Sequence, residues 1–187
     1  LFKVSGDGPP GLWRAVFPTD MSQADEEVMS DKAVQLRMQK FFPKDSDYEI
    51  THRNVYTINQ RVAKKFRHGR VLLAGGGAHL NNSIGGMGLN GGIHDAINAA
   101  DKIIKIWHGE ADEASLDIYD IQRRTTTHEF TQAQTIANKK RLEAKDAQTR
   151  KKNLAELKEM ALDPTRAKKF MMGTSMLSAV RRAATLG

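Results

Sequence analysis

The longest regular pattern of apolar positions along the chain lies between Gly92 and Trp107. Apolar residues recur there every three or four positions, which is typical of a helix that buries one face. Gly109 follows as a natural stop, because glycine readily adopts the left-handed conformation that ends helices. The pattern therefore predicts a helix that packs on the core through Ile93, Ala96, Ile97, Ala100, Ile103, Ile104 and Trp107.

Three further segments have helical patterns. Asp31–Phe42 follows Ser30, a residue type that caps helix N-termini, and Pro43 would end this helix. His128–Leu162 and Ala167–Ala184 also repeat apolar residues at helical spacing. For the last of these we favour packing in the core over binding to a membrane surface, although its flanks are basic and it is rich in methionine.

Two segments indicate strands. Leu12–Pro18 alternates apolar and polar residues, and Tyr48–Gln60 alternates and is rich in β-branched residues. Val4–Gly11 precedes the first of them and is predicted to be a loop, because it contains three glycines and two prolines. The second strand is expected to extend a sheet that leads toward the segment described next.

A strand-like run, Val71–Ala74, ends in the glycine triplet Gly75–Gly77, and a helix-like pattern begins near Asn90. Glycines without a Cβ let the backbone approach a flat or phosphorylated ligand closely, and a helix start offers free N–H groups and a positive dipole end. A glycine-rich turn that binds no ligand is the alternative. A second glycine cluster lies between the triplet and the helix and consists of Gly85, Gly86 and Gly88. Its presence favours a ligand site.

Arg70–Asp101, with the sequence RVLLAGGGAHLNNSIGGMGLNGGIHDAINAAD, resembles the flavin-ring motif of the FAD-dependent aromatic hydroxylases, the para-hydroxybenzoate-hydroxylase-like monooxygenases. Their pattern is R-V-x-L-x-G-D-A-A-H, followed by G-G-x-G-x-N-x-G-I-x-D-A-x-N-L. Just upstream, Tyr56, Gln60 and Arg61 match the family's Y-x-x-x-Q-R-V-A. The resemblance implies FAD as cofactor, NAD(P)H and O2 as co-substrates, and an aromatic, phenol-like small molecule as the substrate that is hydroxylated.

The resemblance also implies which residues contact the flavin. The loop from Gly85 to Asn90 would lie along the isoalloxazine ring, with the backbone of Leu89 and Asn90 at its pyrimidine edge. The expected flavin contacts are Gly75, Gly76, Gly85, Gly86, Met87, Gly88, Leu89 and Asn90. From their aromatic character alone, Trp13, Phe17 and Tyr56 are expected to supply part of the substrate contacts. No side chain is assigned a catalytic role or a metal, because the cofactor carries the difficult chemistry in such enzymes.

Four positions depart from the family pattern, one of them Thr125, which stands where the motif around Leu116–Arg124 ends in proline. Gly76 stands where the family has an aspartate that binds a hydroxyl of the FAD ribityl or ribose chain, and such a hydrogen bond is worth about 1.5–3 kcal/mol. Ser83 replaces a proline. In Leu116–Arg124, which resembles L-x-x-Y-x-x-E-R-R-P, Gln122 replaces glutamate, while Tyr119 remains and is expected to pack.

Composition narrows the function classes. The chain has a net charge of +7, but the basic residues of its last third alternate with acidic ones, which is typical of a solvated helical surface and not of nucleic-acid binding. The absence of cysteine excludes disulfides and cysteine-ligated metals. No apolar run approaches the roughly 18 residues of a membrane helix. We therefore expect a cytoplasmic protein without an integral membrane segment.

The fold class expected is mixed α/β (α+β), as part of a FAD-binding Rossmann-like domain with a remnant of a β-sheet substrate domain and C-terminal helices. The expected limits are 1–60 for the substrate-sheet tail, 61–127 for the flavin-ring half of the FAD-binding domain and 128–187 for the helical segment. The G-x-G-x-x-G fingerprint for the ADP half of FAD is absent. The chain is thus expected to be the C-terminal portion of such an enzyme, a homo-oligomer or the complement of an N-terminal half. The alternative is a catalytically inactive binding or interaction module derived from the same fold.

Overall fold

A computed structural model of the chain describes residues 1–4, 6, 11–144 and 146–187. The chain forms two compact units, Leu1–Thr57 and Ile58–Gly187. Most of the segment predicted as the Val4–Gly11 loop lies outside the described residues, although Val4 itself ends a strand. The described part is rich in helix and has few, short strands.

The first unit combines a small hairpin with two helices. Strands β1 (Phe2–Val4) and β2 (Leu12–Arg14) pair antiparallel, with Lys3 opposite Trp13. Helix α1 spans Asp25–Val28, and helix α2 spans Asp31–Phe41. The predicted N-cap of α2 is confirmed, since the Ser30 side chain accepts a hydrogen bond from the backbone N–H of Ala33 at 3.3 Å.

The strand predicted over Tyr48–Gln60 is wrong, because this segment contains no strand. The Gln35 side chain occupies both backbone groups of Tyr48: it donates to the Tyr48 carbonyl at 2.7 Å and accepts from the Tyr48 N–H at 2.9 Å. These are the groups that a neighbouring strand would use. The strand predicted over Leu12–Pro18 is also shorter than expected and ends at Arg14.

The second unit begins with two short antiparallel ladders. Strand β3 (Arg61–Val62) pairs with β6 (His79–Leu80), and β4 (Arg67–His68) pairs with β5 (Val71–Leu72). Between β5 and β6, Gly75–Gly77 forms a single 3-10 turn. The ladders thus hold both ends of the segment that carries the glycine triplet.

Helices make up the rest of the second unit. Helix α3 spans Met87–Trp107 and begins three residues before the predicted start near Asn90. The helices that follow are α4 (Ser115–Thr126), α5 (Ala133–Leu142), α6 (Ala147–Leu162), α7 (Pro164–Thr174) and α8 (Leu177–Ala183). A π-helical segment, Thr127–Gln132, joins α4 to α5 without leaving helical backbone angles. Asp163 separates α6 from α7, and its side chain caps α7 by accepting from the backbone N–H groups of Thr165 and Arg166.

Two clusters form the core of the second unit. Phe66, Ala78, Ala99 and Tyr119 are buried together under the ladders and helices α3 and α4. Met87, Met176 and Ala179 form the other cluster, against which Phe130 packs. Tyr119, which the resemblance assigns to packing, is fully buried and donates its hydroxyl proton to the Leu73 carbonyl at 2.6 Å.

Helix α3 buries the face opposite to the predicted one. Its apolar stripe is exposed, with Ile97 63% and Trp107 86% accessible. The buried positions are instead Met87, Gly91, Asp95, Ala99 and Lys102. Small residues on this face let neighbouring segments approach, and its polar groups are hydrogen bonded, so burying them is tolerated.

Candidate functional site

The glycine-rich turns adopt backbone conformations that favour glycine. Gly75, Gly85 and Gly86 have φ angles of 55°, 103° and 64°. Residues with a Cβ rarely adopt these values. A Cβ placed on Gly76 or Gly86 would meet no heavy atom within 4 Å. Open space therefore adjoins both glycine clusters, and their backbone is accessible to a flat ligand.

The second glycine cluster leads directly into the N-terminus of α3. Gly86 is the N-cap residue, and no side chain caps this end of the helix. The first N–H groups of a helix have no intrahelical acceptor and lie at the positive end of its dipole. Leu89 and Asn90 are exposed on this first turn, whereas the Met87 side chain is only 2% exposed and lies in the core. The N-terminus of α3 is thus suited to an electron-rich ligand edge.

A buried amide network holds the loop between β6 and α3. The Gln60 side chain accepts from the backbone N–H of Asn82 at 3.1 Å and donates to Gln132 Oε1 at 2.7 Å and Thr135 Oγ1 at 2.9 Å. Asn82, only 1% exposed, donates in turn to the Thr135 carbonyl at 2.9 Å. Gln60 therefore has a structural role, since its side chain joins the loop before α3 to the Thr127–Gln132 segment and to α5. No pattern in the sequence singled out Asn82, Gln132 and Thr135, since isolated polar residues are most often exposed.

Asp95 lies at the centre of a second buried cluster, between α3, α4 and the glycine triplet. It is fully buried, and its Oδ1 accepts from Arg123 Nε at 2.7 Å. Its Oδ2 accepts from the backbone N–H of Gly75 and from His79 Nε2, both at 2.9 Å. Each carboxylate oxygen therefore has a donor, which a buried charge requires.

The charge state of Asp95 follows from these contacts. Burial alone would raise the pKa of its carboxyl group. The hydrogen bonds from His79, Arg123 and the Gly75 amide, together with the positive charge of Arg123, outweigh burial and hold the pKa below its ordinary value. Asp95 is therefore an anion at neutral pH, fixed between three donors.

His79 is a structural member of this cluster. Since a carboxylate only accepts hydrogen bonds, Nε2 carries the proton that His79 shares with Asp95. Nδ1 is buried and has no hydrogen-bond partner among the described residues. The imidazole lies where Gly91 has no side chain, because a Cβ on Gly91 would be 3.2 Å from His79 Cε1. A buried ring held in this way is placed for packing and not for exchange of protons with a substrate.

The three residues proposed to contact substrate all lie in the first unit. Trp13 is 56% exposed on β2, and Tyr56 is 46% exposed in the irregular segment after α2. Phe17 packs edge-on against Phe41, with ring centroids 6.0 Å apart. An open cavity of about 290 Å³ is lined by Phe17, Pro18, Arg37, Lys40 and Phe41. Trp13 and Tyr56 are not part of this lining.

Among the residues that the structure describes, no group of three or more His, Cys, Asp or Glu side chains is arranged to hold a metal ion. No helix of the described ranges combines the length and the apolar character needed to cross a membrane.

Known proteins similar to this chain share its glycine-rich region. The family described as "FAD binding domain" matches residues 8–134. A para-nitrophenol 4-monooxygenase from a Pseudomonas species is 35% identical over 172 residues, which are 91% of this chain and 43% of that protein. A 3-(3-hydroxy-phenyl)propionate/3-hydroxycinnamic acid hydroxylase from Mycolicibacterium smegmatis is 38% identical over 114 residues, 61% of this chain and 20% of that protein.

A solved structure agrees with these matches. The crystal structure of p-nitrophenol 4-monooxygenase from Pseudomonas putida superimposes with a TM-score of 0.73 at 30% identity, covering 83% of this chain and 41% of that one. The chain thus spans about two fifths of the length of this structure and of the Pseudomonas relative. The family match extends over more than half of the chain and includes both glycine clusters. The chain belongs to the FAD-binding domain family, and the relatives it is similar to are named as aromatic monooxygenases and hydroxylases.

Proposed function

We propose that this chain forms the flavin-ring side of the FAD site in a monooxygenase that hydroxylates a phenol-like aromatic compound with NAD(P)H and O2. The observation that carries the proposal is the geometry of the two glycine clusters, which leave open space beside accessible backbone at Gly76 and Gly86. The family match and the enzyme names of the relatives support it, and they favour an enzyme over an inactive binding module.

The residues present fit a flavin. Backbone at Gly75, Gly76, Gly85, Gly86, Met87, Gly88, Leu89 and Asn90 would line the ring and its polar edge, with Met87 contributing backbone only because its side chain is in the core. The uncapped N-terminus of α3 would stabilise negative charge at that edge. FAD, when bound, supplies the transfer of electrons from NAD(P)H and of one oxygen atom from O2 to the substrate. Trp13, Phe17 and Tyr56 remain the proposed aromatic contacts of the substrate.

The chain would supply one half of the site. In this proposal, 1–60 is the tail of a substrate-binding sheet domain, 61–127 the second half of a Rossmann-like FAD-binding domain and 128–187 a helical segment. The exposed apolar stripe of α3, including Ile97 and Trp107, needs a partner surface. We assign that surface to the remaining half of the FAD-binding domain, because the relatives are more than twice as long as the region matched.

The test uses the native polypeptide that contains this chain. The expected result is bound flavin, identified by its visible absorption after purification, and oxidation of NAD(P)H that depends on a phenol. p-Nitrophenol and 3-(3-hydroxyphenyl)propionate are the first two substrates to try, since relatives are named for them. Hydroxylated product must accompany NAD(P)H oxidation. Flavin binding without any product from a panel of phenols would instead support the inactive module.

A further inference from the structure

We propose that Asp95 is a positioning residue for the FAD site, acting through the Gly75–Gly77 turn. The inference rests on the proposed function and assigns a role to a residue that is out of reach of any ligand. Asp95 is fully buried, so it cannot touch the cofactor itself. It contacts the turn that carries Gly76, one of the proposed flavin contacts.

One carboxylate oxygen binds both ends of the turn segment. Asp95 Oδ2 accepts from the Gly75 N–H, where the 3-10 turn begins, and from His79 Nε2, just beyond its end. Both distances are 2.9 Å. The backbone between these two donors is therefore fixed from a single point. A turn held at both ends presents its exposed face, at Gly76 and Gly77, in one conformation.

The steric contacts between α3 and the same segment are an independent observation. A Cβ on Gly92 would lie 3.0 Å from the Cα of Gly75, and a Cβ on Gly91 would lie 3.2 Å from His79. Two consecutive glycines of α3 thus make room for the two ends of the turn segment. Together with Asp95 they form a small-residue face against which that segment lies in close contact.

The other oxygen of Asp95 serves a different purpose. Oδ1 accepts from Arg123 on α4, and Arg123 balances the buried charge. This contact joins two helices and does not involve the turn. A substitution of Arg123 should therefore lower the stability of the protein without moving the turn. A substitution of Asp95 should lower the stability and also move the turn. That asymmetry distinguishes positioning from simple core packing.

The experiment compares Asp95→Asn with Arg123→Lys in the native polypeptide, with Asp101→Asn as a surface control on the same helix. The first readout is amide hydrogen exchange without FAD. We compare the two variants at denaturant concentrations that give them the same global free energy of unfolding. Under these conditions, amide exchange across residues 75–78 should be faster in Asp95→Asn than in Arg123→Lys. The second readout is the FAD dissociation constant, which should rise about tenfold or more in Asp95→Asn and less than about threefold in the other two variants.

A second variant keeps the test valid if Asp95→Asn does not fold. Gly92→Ala moves the turn by its Cβ without changing any charge, and it should give the same pattern of faster local exchange and weaker FAD binding. Equal effects of Asp95→Asn and Arg123→Lys on both readouts would overturn the positioning role. If the wild-type protein binds no FAD, the proposed function is refuted. If Asp95→Asn still exchanges faster than Arg123→Lys across residues 75–78 in that case, Asp95 nevertheless fixes the conformation of the turn.

Discussion

Gly85 lies against Asn138: a Cβ on Gly85 would be 2.8 Å from Nδ2 of the asparagine. Gly85 also has a φ of 103°, which residues with a Cβ rarely adopt. Gly85→Ala should therefore destabilise the protein by about 1–3 kcal/mol and weaken FAD binding. Urea unfolding and flavin titration measure the two effects.

A double variant separates the two causes of this loss. Asn138→Ala removes the contact but leaves the backbone strain, so Gly85→Ala/Asn138→Ala should recover only part of the loss caused by Gly85→Ala. Gly173→Ala in helix α7 is the control, because its Cβ would meet nothing within 4 Å. That change should stabilise the helix by about 0.5–1 kcal/mol. An unchanged stability of Gly85→Ala would contradict the strained conformation.

Gly76→Asp should tighten FAD binding about 10- to 100-fold, as expected for one added hydrogen bond of a charged group. The structure accommodates the side chain, since nothing lies within 4 Å of a Cβ at this position. Gly77→Asp is the matched control in the same turn, equally unobstructed but one position away from the family's aspartate. Equilibrium titration with FAD decides, and equal effects of both substitutions would argue against the motif assignment.

Asp95 should make the protein sensitive to acid. The pKa of the Asp95 carboxyl group is lower in the folded protein than in the unfolded chain, where it is about 3.9. The carboxylate therefore contributes its full stabilisation above about pH 5, and this contribution is lost as the pH falls through the pKa of the folded protein. Asp95→Asn should cost about 3–5 kcal/mol at neutral pH, and the difference from wild type should shrink below about pH 4. Unfolding free energies between pH 7 and pH 3 test this; a difference that stays constant would count against it.

Lys102 should contribute a pH dependence of the same sign as that of Asp95, but in the alkaline range. It is 8% exposed, and its ammonium group binds the amide oxygens of Asn98 and Gln122 at 2.9 Å. Burial is the main cause that lowers its pKa. The folded state therefore releases this proton at a lower pH than the unfolded chain does. The stability of wild type relative to Lys102→Met should rise as the pH increases toward about 10.4, which is the pKa of a lysine in the unfolded chain.

The control for this prediction is Lys105→Met, which removes a half-exposed lysine from the same helix. Its stability relative to wild type should change less over the same range. Chemical denaturation at pH 8, 9 and 10 gives the free energy of unfolding of each variant. If this free energy depends on pH in the same way in both variants, burial does not lower the pKa of Lys102.

Trp107 tests the assignment of a partner surface to α3. Its side chain is 86% exposed in this chain. In the native polypeptide we expect it to be shielded from acrylamide and to fluoresce at shorter wavelength, because the remaining half of the FAD-binding domain covers the stripe. Trp13→Phe removes the other tryptophan of this chain, and the difference between the spectra with and without Trp107→Phe isolates the signal of Trp107. Quenching as efficient as that of a free tryptophan would rule out a covered stripe.

The sequence located the helical regions, but not all of their breaks or their buried faces: the predicted stretch His128–Leu162 is interrupted after Leu142, and Ala167–Ala184 is divided between α7 and α8. The apolar stripe from Ile93 to Trp107 marks a helix correctly, whereas the face packed within this chain carries Gly91, Asp95 and Ala99. The periodicity of apolar residues shows which face of a helix is apolar, but it does not show which other segment packs against that helix. Likewise, the pattern of Tyr48–Gln60 favoured a strand, but the Gln35 side chain occupies the backbone groups of Tyr48.

The glycine clusters, their distance from the helix that follows and the family they indicate could all be predicted from the sequence, because these features depend on neighbouring residues. The contacts of Asp95 could not be predicted in this way. Its donors Gly75, His79 and Arg123 lie 20, 16 and 28 positions away along the chain. A carboxylate is stable in the interior only when such distant donors converge on it, and that convergence is a property of the packed helices and turns.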